Sequence, residues 1–326
     1  MTPLTSDQIE KVASLLTGVL RDESMAKHTN FRIGGPARLY VVANDADAMI
    51  KAVTAAEDAG VPWAIFGGGS NLLVADAGYE GLIIQSGMRG LNVEGDVIHA
   101  ESGAITALAA RKAADAGLTG FEWAIGVPGT IGGAVYGNAG CYGGEMKDVV
   151  ETVDAYRLSD RTRVTYANAD CKFAYRESTF KHDRHLIFSC AIRLAQGDAV
   201  ASKKRMQEIV ETRKEKQPLE MSSAGCAFKN FEFSSPDDIA ILLTKVNVPE
   251  EMISKGAISA GWIVEQAGAR GLSVGGVAVS DKHGNFLVNV GGGTAQDVIM
   301  LISLVKTKVR DELGIMLENE VQLLGF

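Results

Sequence analysis

The chain has 326 residues, room for about two or three domains, and its 46% apolar and 22% charged residues exclude a disordered or fibrous protein. A formal net charge of −8 repels polyanions, which argues against nucleic acid as the main partner and requires any anionic ligand to be met by a local basic patch. The opening stretch lacks the basic start and apolar run of a signal peptide, no run of about 18 apolar residues is present, and four dispersed cysteines form no CxxC pair, so a cytoplasmic protein with reduced thiols and no membrane partner is expected.

Taken in chain order, Ile9, Val12, Leu15, Leu16 and Val19 recur at helical spacing behind a Ser6 cap and predict an amphipathic helix. Gly34-Gly35-Pro36 marks a turn into the strand ARLYVVA, and a second helix runs through DADAMIKAVTAAEDAG to Gly60. The strand VPWAIF leads into Gly67-Gly68-Gly69-Ser70-Asn71, followed by strand-like LLVADAGYEGLII with a turn at Gly78. ITALAARKAADAG predicts a helix closing at Gly117, after which Gly126 to Gly144 reads as a long glycine-rich loop. The strands VETVDAYRL and HLIFSCAIRLA follow. A charged helix, ASKKRMQEIVETRKEKQ, then stops at Pro218 and links into a third unit. There, helical patterns lie near 237–245 and 257–267, the strands GGVAVS and NFLVNV flank the turn DKHG, and a last helix runs from a Thr294/Asp297 capping box to Gly314. LENEVQLLGF closes the chain as a strand. Helices and short strands alternate without a parallel crossover rhythm, so the fold class is read as α+β.

The first glycine run sits between two strands with no helix after it, so it is not a dinucleotide fingerprint. Successive glycines can still turn their N–H groups inward around an anion, with Ser70 and Asn71 adding donors; a tight turn between strands explains the run equally well. The second stretch holds eight glycines between Gly126 and Gly144, interleaved with Val127, Pro128, Ile131, Val135 and Tyr136. Such anchors do not belong to a solvated linker, and Thr130 and Asn138 can donate hydrogen bonds. NFLVNVGGGTAQDVIML imitates a nucleotide-binding turn, but the third fingerprint glycine falls on Gln296 and Thr294 explains the run as a helix cap. His182 and His185 lack further ligands in a recognisable pattern and are read as loop histidines, with no metal site expected.

Together, TNFRIGGPA, GGGSNLLV, GVPGTIGGAVYGNAGCYGGE, AYRESTFK, KQPLEMSSAGCAFKN, VSDKHGNFLVN and LENEVQLLG, in this order from about Thr29 to the C-terminus, closely resemble the UDP-N-acetylenolpyruvoylglucosamine reductase (MurB) family. The short interval between Ser178 and Ala224 resembles its second type, which lacks an extra tyrosine-bearing substrate loop. The resemblance implies noncovalent FAD on a flavin fold of the PCMH type, and NADPH as hydride donor. It implies residues 1–88 and 89–214 as two FAD-binding subdomains, 215–310 as a substrate domain and 311–326 as a terminal segment returning to the active site. Cofactor contacts are implied at Gly67, Gly68, Gly69, Ser70, Asn71 and Leu72, and at Pro128, Gly129, Thr130, Gly133, Asn138 and Gly140. Related oxidases tether FAD through a histidine after the glycine run; Ser70 stands there here, so a dissociable flavin is expected.

The implied reaction reduces an enolpyruvyl ether attached to a UDP sugar, and it asks the protein to stabilise an enolate and to deliver a proton. Arg176 in AYRESTF matches the arginine expected to face the substrate carboxylate, a task its permanent charge and fork geometry suit; a surface ion pair with Glu177 or Asp183 is the plainer reading of that motif alone. Glu320 matches the terminal glutamate, although strand alternation puts Glu318 on the same face and periodicity cannot choose between them. Cys226 stands where the family has a serine or cysteine proton donor. A thiol of ordinary pKa, about 8.5, is mostly protonated at pH 7 and is a far stronger acid than a serine hydroxyl. Cys171 and Cys190, in strand-like surroundings, read instead as packed thiols. Arg213, Lys216 and Asn230 match substrate-side positions. A small nucleotide sugar is the expected partner, and a monomer is compatible with that chemistry.

Overall fold

The structure, a computed structural model, describes residues 2–326. Helices and strands are mixed throughout, which makes the class α+β as expected. The chain forms two compact units. The first comprises the chain up to Glu23, Ala37–Gly68 and Glu80–Arg213; the second comprises Ser24–Pro36, Gly69–Tyr79 and Lys214–Phe326. The junction after Arg213 lies next to the start expected for the substrate domain, but two early segments join the C-terminal part in the second unit, an arrangement a linear division does not contain.

Within the first unit there are two separate cores. One belongs to a four-stranded sheet ordered Leu20–Ser24, Pro36–Ala43, Tyr79–Ser86, Trp63–Phe66, and it takes Ile9 and Val12 from the helix Ser6–Leu15 and Met49 and Val53 from Ala46–Asp58. Thr5, not Ser6, caps the first helix, exchanging bonds with Gln8 in a capping box. The other core belongs to an antiparallel five-stranded sheet ordered Thr162–Ala167, Val150–Arg157, His185–Arg193, Val97–Glu101, Leu91–Glu94. Against it pack Ala109 and Ala113 of the helix Thr106–Asp115, together with Phe121, Ile131 and Val135. Cys171 and Cys190 lie in this core, as their apolar surroundings suggested. The glycine-rich stretch expected as a loop contains a short helix, Ile131–Tyr136. Its glycines disfavour a helix locally, and the burial of Ile131, Ala134 and Val135 overrides that preference.

The second unit is organised on the helix Ala295–Leu313, whose Ala295, Val298, Leu301, Ile302, Val305, Val309 and Leu313 form one buried stripe. Thr294 and Asp297 make the predicted capping box, and Gly314, at φ 72°, ends the helix in the left-handed conformation. The stripe shares a core with Ile263 and Val264, with Val277, Val279 and Leu287 of an antiparallel three-stranded sheet, and with Phe31, Leu73 and Phe228. Residues Gln322–Leu324 pair in parallel with Leu72–Val74, which builds the strand after the first glycine run into this unit.

Candidate active site

In the first unit the two glycine stretches meet. A methyl group on Gly67 would stand 2.0 Å from Thr130 Oγ1, and one on Gly68 would stand 3.1 Å from Gly129 Cα, so main chain approaches main chain there. Gly129 accepts from Thr106 N at 3.2 Å, and Ile131 N donates to Ala104 O at 2.9 Å. On the other side Gln85 Nε2 donates to Gly67 O at 3.1 Å and accepts from the Tyr40 hydroxyl. Burial, reinforced by the charge of Glu23, pushes that phenol up to about 12. Thr130 Oγ1 is buried and finds no hydrogen-bond partner among the described residues. Pro128 and Gly133 flank this cradle on exposed main chain.

Asn138 links the second glycine stretch to a neighbouring turn. It is fully buried; its amide donates to Glu145 Oε2 at 2.5 Å and Ala174 O at 2.9 Å, and its oxygen accepts from Lys147 N at 2.9 Å. All the polar atoms of this side chain bond within the protein, and they tie the glycine stretch to the turn that carries Arg176. That turn closes on itself through paired backbone bonds between Ala174 and Glu177. Arg176, at φ 56°, donates to Gly140 O at 3.4 Å and lies 5.0 Å from the Tyr175 ring centroid. Glu177, its sequence neighbour, pairs with His182 at 3.0 Å and Lys181 at 3.9 Å. Arg213 packs its stem beside Gly126 and Cys141. Burial pushes the Cys141 thiol up to about 11, while the charges of Arg213 and then Arg176 pull the other way. Two guanidiniums therefore converge on the Gly140–Cys141 turn, a local basic patch of the kind an acidic chain needs for an anionic ligand.

In the second unit Cys226 and Glu320 belong to one ladder. Phe228 bridges Asn319 in antiparallel register, Lys229 N donates to Glu318 O at 2.9 Å, and Glu320 N donates to Ala227 O at 2.8 Å. The main chain of Glu320 is thus bonded to the residue after Cys226. Ser70, Asn71 and Leu72 adjoin the same ladder. Asn71 Nδ2 donates to Glu320 O at 3.1 Å, Gln322 N donates to Asn71 O at 3.0 Å, and a methyl group on Gly225 would stand 3.9 Å from Ser70 O. The structure also separates the two glutamates that periodicity could not. Glu318 is 75% exposed and pairs with Lys229 at 3.3 Å, whereas Glu320 is half-buried. Lys216 is exposed at the end of its helix, and Asn230 Oδ1 accepts from Ala260 N at 3.1 Å.

At the helix start after the glycine run at 291–293 the free N–H groups are already capped. Asp76, from the strand end after the first glycine run, accepts from Ala295 N at 2.7 Å and Gln296 N at 2.9 Å, so the chain's own carboxylate occupies the position an anion would take. Sequence reading missed Asp76; an aspartate shortly after a strand is its only local mark. His185 bonds the Tyr166 hydroxyl at 2.6 Å. No group of three metal-ligating side chains occurs among the described residues, and none of their helices is long and apolar enough to cross a membrane.

His283 lies beside the ladder and gives it a pH dependence. Its Nδ1 accepts from Asn285 N at 3.1 Å, and its ring packs on Phe286 at 4.9 Å between centroids. Burial lowers its pKa below 6.5; Glu265 opposes this and Arg270 reinforces it. The unfolded chain therefore binds this proton first, so stability is full above about pH 6.5 and falls as pH drops below it. Urea midpoints at pH 7.5 and 5.5 are expected to show a larger acid loss for the parent than for His283→Gln; equal losses would count against it.

Residues 37–162 match the FAD binding domain family, and residues 217–324 match the UDP-N-acetylenolpyruvoylglucosamine reductase C-terminal domain. The chain is 38% identical over 304 residues to the UDP-N-acetylenolpyruvoylglucosamine reductase of Solibacter usitatus, covering 92% of this chain and 95% of that one. It is 37% identical to that of Caldanaerobacter subterraneus subsp. tengcongensis, covering 93% of each. The crystal structure of UDP-N-acetylenolpyruvylglucosamine reductase (MurB) from Thermus caldophilus superposes with a TM-score of 0.73 at 29% identity, covering 94% of this chain and 98% of that one. On the strength of these matches along nearly its whole length, the chain belongs to the UDP-N-acetylenolpyruvoylglucosamine reductase family.

Proposed function

We propose that the chain reduces UDP-N-acetylglucosamine enolpyruvate to UDP-N-acetylmuramate, with NADPH as hydride donor and FAD as bound cofactor, in the cytoplasm and in the service of peptidoglycan precursor synthesis. The observation that carries this reading is the ladder bonding Glu320 to the residue after Cys226, because it puts a carboxyl group and a thiol on adjacent main chain beside Ser70–Leu72.

The residues present fit FAD. Gly67 and Gly68 leave bare main chain against Gly129 and Thr130, and the orphaned Thr130 hydroxyl is a donor awaiting an acceptor. Gly67, Gly68, Pro128, Gly129, Thr130, Gly133 and Gly140 would hold it. When bound, FAD supplies the substrate with a hydride taken from NADPH. Once carbon 3 has received that hydride, the π electrons rest on carbon 2 and the carboxylate as an enolate. Arg176 stabilises this charge electrostatically, and Glu320 is the second group assigned to the same step. The Cys226 Sγ–H bond then breaks, its proton forms the new bond at carbon 2, and solvent reprotonates the sulfur. Arg213, Lys216 and Asn230 orient the nucleotide sugar, and the two arginines near Gly140 answer its anionic groups.

The purified protein is expected to be yellow, to absorb near ~450 nm as an oxidised flavin does, and to bleach with NADPH under nitrogen. One equivalent of UDP-N-acetylglucosamine enolpyruvate should then restore the colour. Bleaching without restoration would leave a flavoprotein that acts on a different acceptor and would overturn the substrate assignment.

A further inference from the structure

Three hydrogen bonds reach the segment after Cys226 from a single residue. Asn285 Oδ1 accepts from Phe228 N at 2.9 Å, Asn285 Nδ2 donates to Phe228 O at 2.8 Å, and the Asn285 carbonyl accepts from Ala227 N at 2.8 Å. Asn285 is 3% exposed and Phe228 is completely buried. A carboxamide that satisfies both main-chain groups of one residue does the work of a neighbouring strand. Among short side chains only asparagine has the donor and the acceptor to do it, since an ionised aspartate lacks the donor. The clamp is itself held: His283 Nδ1 accepts from Asn285 N, Phe286 N donates to His283 O at 3.0 Å, and Ser280 N donates to Phe286 O at 2.9 Å. Cys226 bridges Phe286, and the opposite edge of Ala227–Lys229 is bonded to Glu318–Glu320. The main chain following the thiol is therefore fixed on both sides, on one of them by a buried side chain from the otherwise unassigned stretch VSDKHGNFLVN.

We infer that Asn285 is a positioning residue for the proton-transfer step, its clamp on Ala227 and Phe228 setting the direction in which Cys226 presents its Sγ–H. The inference rests on the proposed role of Cys226. Proton transfer demands close approach, and a displacement of about 1 Å costs on the order of a hundredfold in rate. In an unclamped chain two buried main-chain groups lose their partners, and the segment moves to satisfy them.

The test is a double-mutant cycle on the two half-reactions of the FAD-loaded enzyme, read by stopped flow. Asn285→Ala is expected to slow reoxidation of reduced enzyme by UDP-N-acetylglucosamine enolpyruvate by about tenfold to a hundredfold, chiefly in kcat, while NADPH reduces the flavin at the parent rate. In a Cys226→Ala background the same change is expected to slow reoxidation no further, because no thiol remains to be aimed. Leu301→Ala, which opens the core of the same unit, serves as the control for destabilisation and leaves reoxidation unchanged. Reoxidation at the parent rate in Asn285→Ala, or an undiminished extra loss in the Cys226→Ala background, overturns the positioning role. If Asn285→Ala does not fold, Asn285→Asp, which keeps the acceptor for Phe228 N, is put through the same cycle and judged by the same outcomes. Parent-rate reoxidation in Cys226→Ala alone overturns the assignment of Cys226 instead, so the two failures are distinguishable.

Discussion

Cys226→Ala is expected to slow reduction of the enolpyruvyl substrate by about a hundredfold to ten-thousandfold, the range a positioned general acid supplies, while NADPH still bleaches the flavin at the parent rate. The split follows from where the residue sits. Cys226 is half-buried on the ladder that carries Glu320, and the task assigned to it begins only after hydride has reached the acceptor, so the first half-reaction never uses it. Removing one partly exposed sulfur leaves no large cavity, and the main chain around it stays bonded on both edges. Loss of rate through unfolding is therefore not expected, and the melting temperature should move little. Cys226→Ser keeps a proton at the same place but on a much weaker acid, so it should retain measurable turnover between the two extremes. Anaerobic stopped flow, with reduction and reoxidation followed separately at the flavin band, distinguishes these outcomes. An alanine variant reoxidised at the parent rate would remove Cys226 from the mechanism, whatever the ladder suggests.

What could be read in the chain beforehand follows the range of the interactions involved. The Thr294/Asp297 box, the glycine closing that helix at 314 and the apolar stripe between them are local, and each acts within a few residues of itself. The choice between Ser6 and Thr5 as a cap is local too, but two neighbouring hydroxyl residues offer nearly the same chemistry, and the reading fell one residue away. The helix Ile131–Tyr136 was hidden because glycine suppresses the helical signal and only its packing against the five-stranded sheet reveals it. The site divides in the same manner. Cys226, Arg176 and Glu320 are proposed from short motifs, but nothing in a period of two could tell Glu318 from Glu320. Exposure separates them once Lys229 is seen to hold Glu318. The hydrogen bonds made by Asn138, Asp76 and Asn285 could not be read beforehand for a shared reason. Each of the three is a polar side chain bonded to main chain far along the sequence, and a buried asparagine carries no mark of the carbonyl it will meet. The joining of 24–36 and 69–79 to the C-terminal unit is non-local in the same sense.

Gly69→Ala is expected to yield protein that leaves purification without its flavin and binds added FAD at least ~100-fold more weakly, close to 3 kcal/mol. Two separate costs act at this position. Gly69 has φ 61°, a left-handed conformation that costs an L-residue about 1–2 kcal/mol. A methyl group there would also stand 2.0 Å from the His28 carbonyl oxygen and 3.1 Å from Thr29 Cα. Those are main-chain atoms, and Asn30 N donates to Gly69 O at 3.0 Å, so neither side can rotate away and the loop itself must move by about an ångström or more to restore van der Waals contact. A cofactor held largely by bare main chain does not tolerate such a shift. Gly95→Ala separates collision from strain, because Gly95 shares the left-handed conformation at φ 62° but has nothing within 4 Å of the added methyl. That variant should lose about 1–2 kcal/mol of stability and retain its colour. Titrating apoprotein with FAD and following the quenching of flavin fluorescence measures binding without reference to turnover. Parent-like affinity in Gly69→Ala would mean that the first glycine run does not cradle the cofactor, and equal weakening in both variants would mean that general destabilisation of the chain, rather than contact with His28, lowers FAD binding.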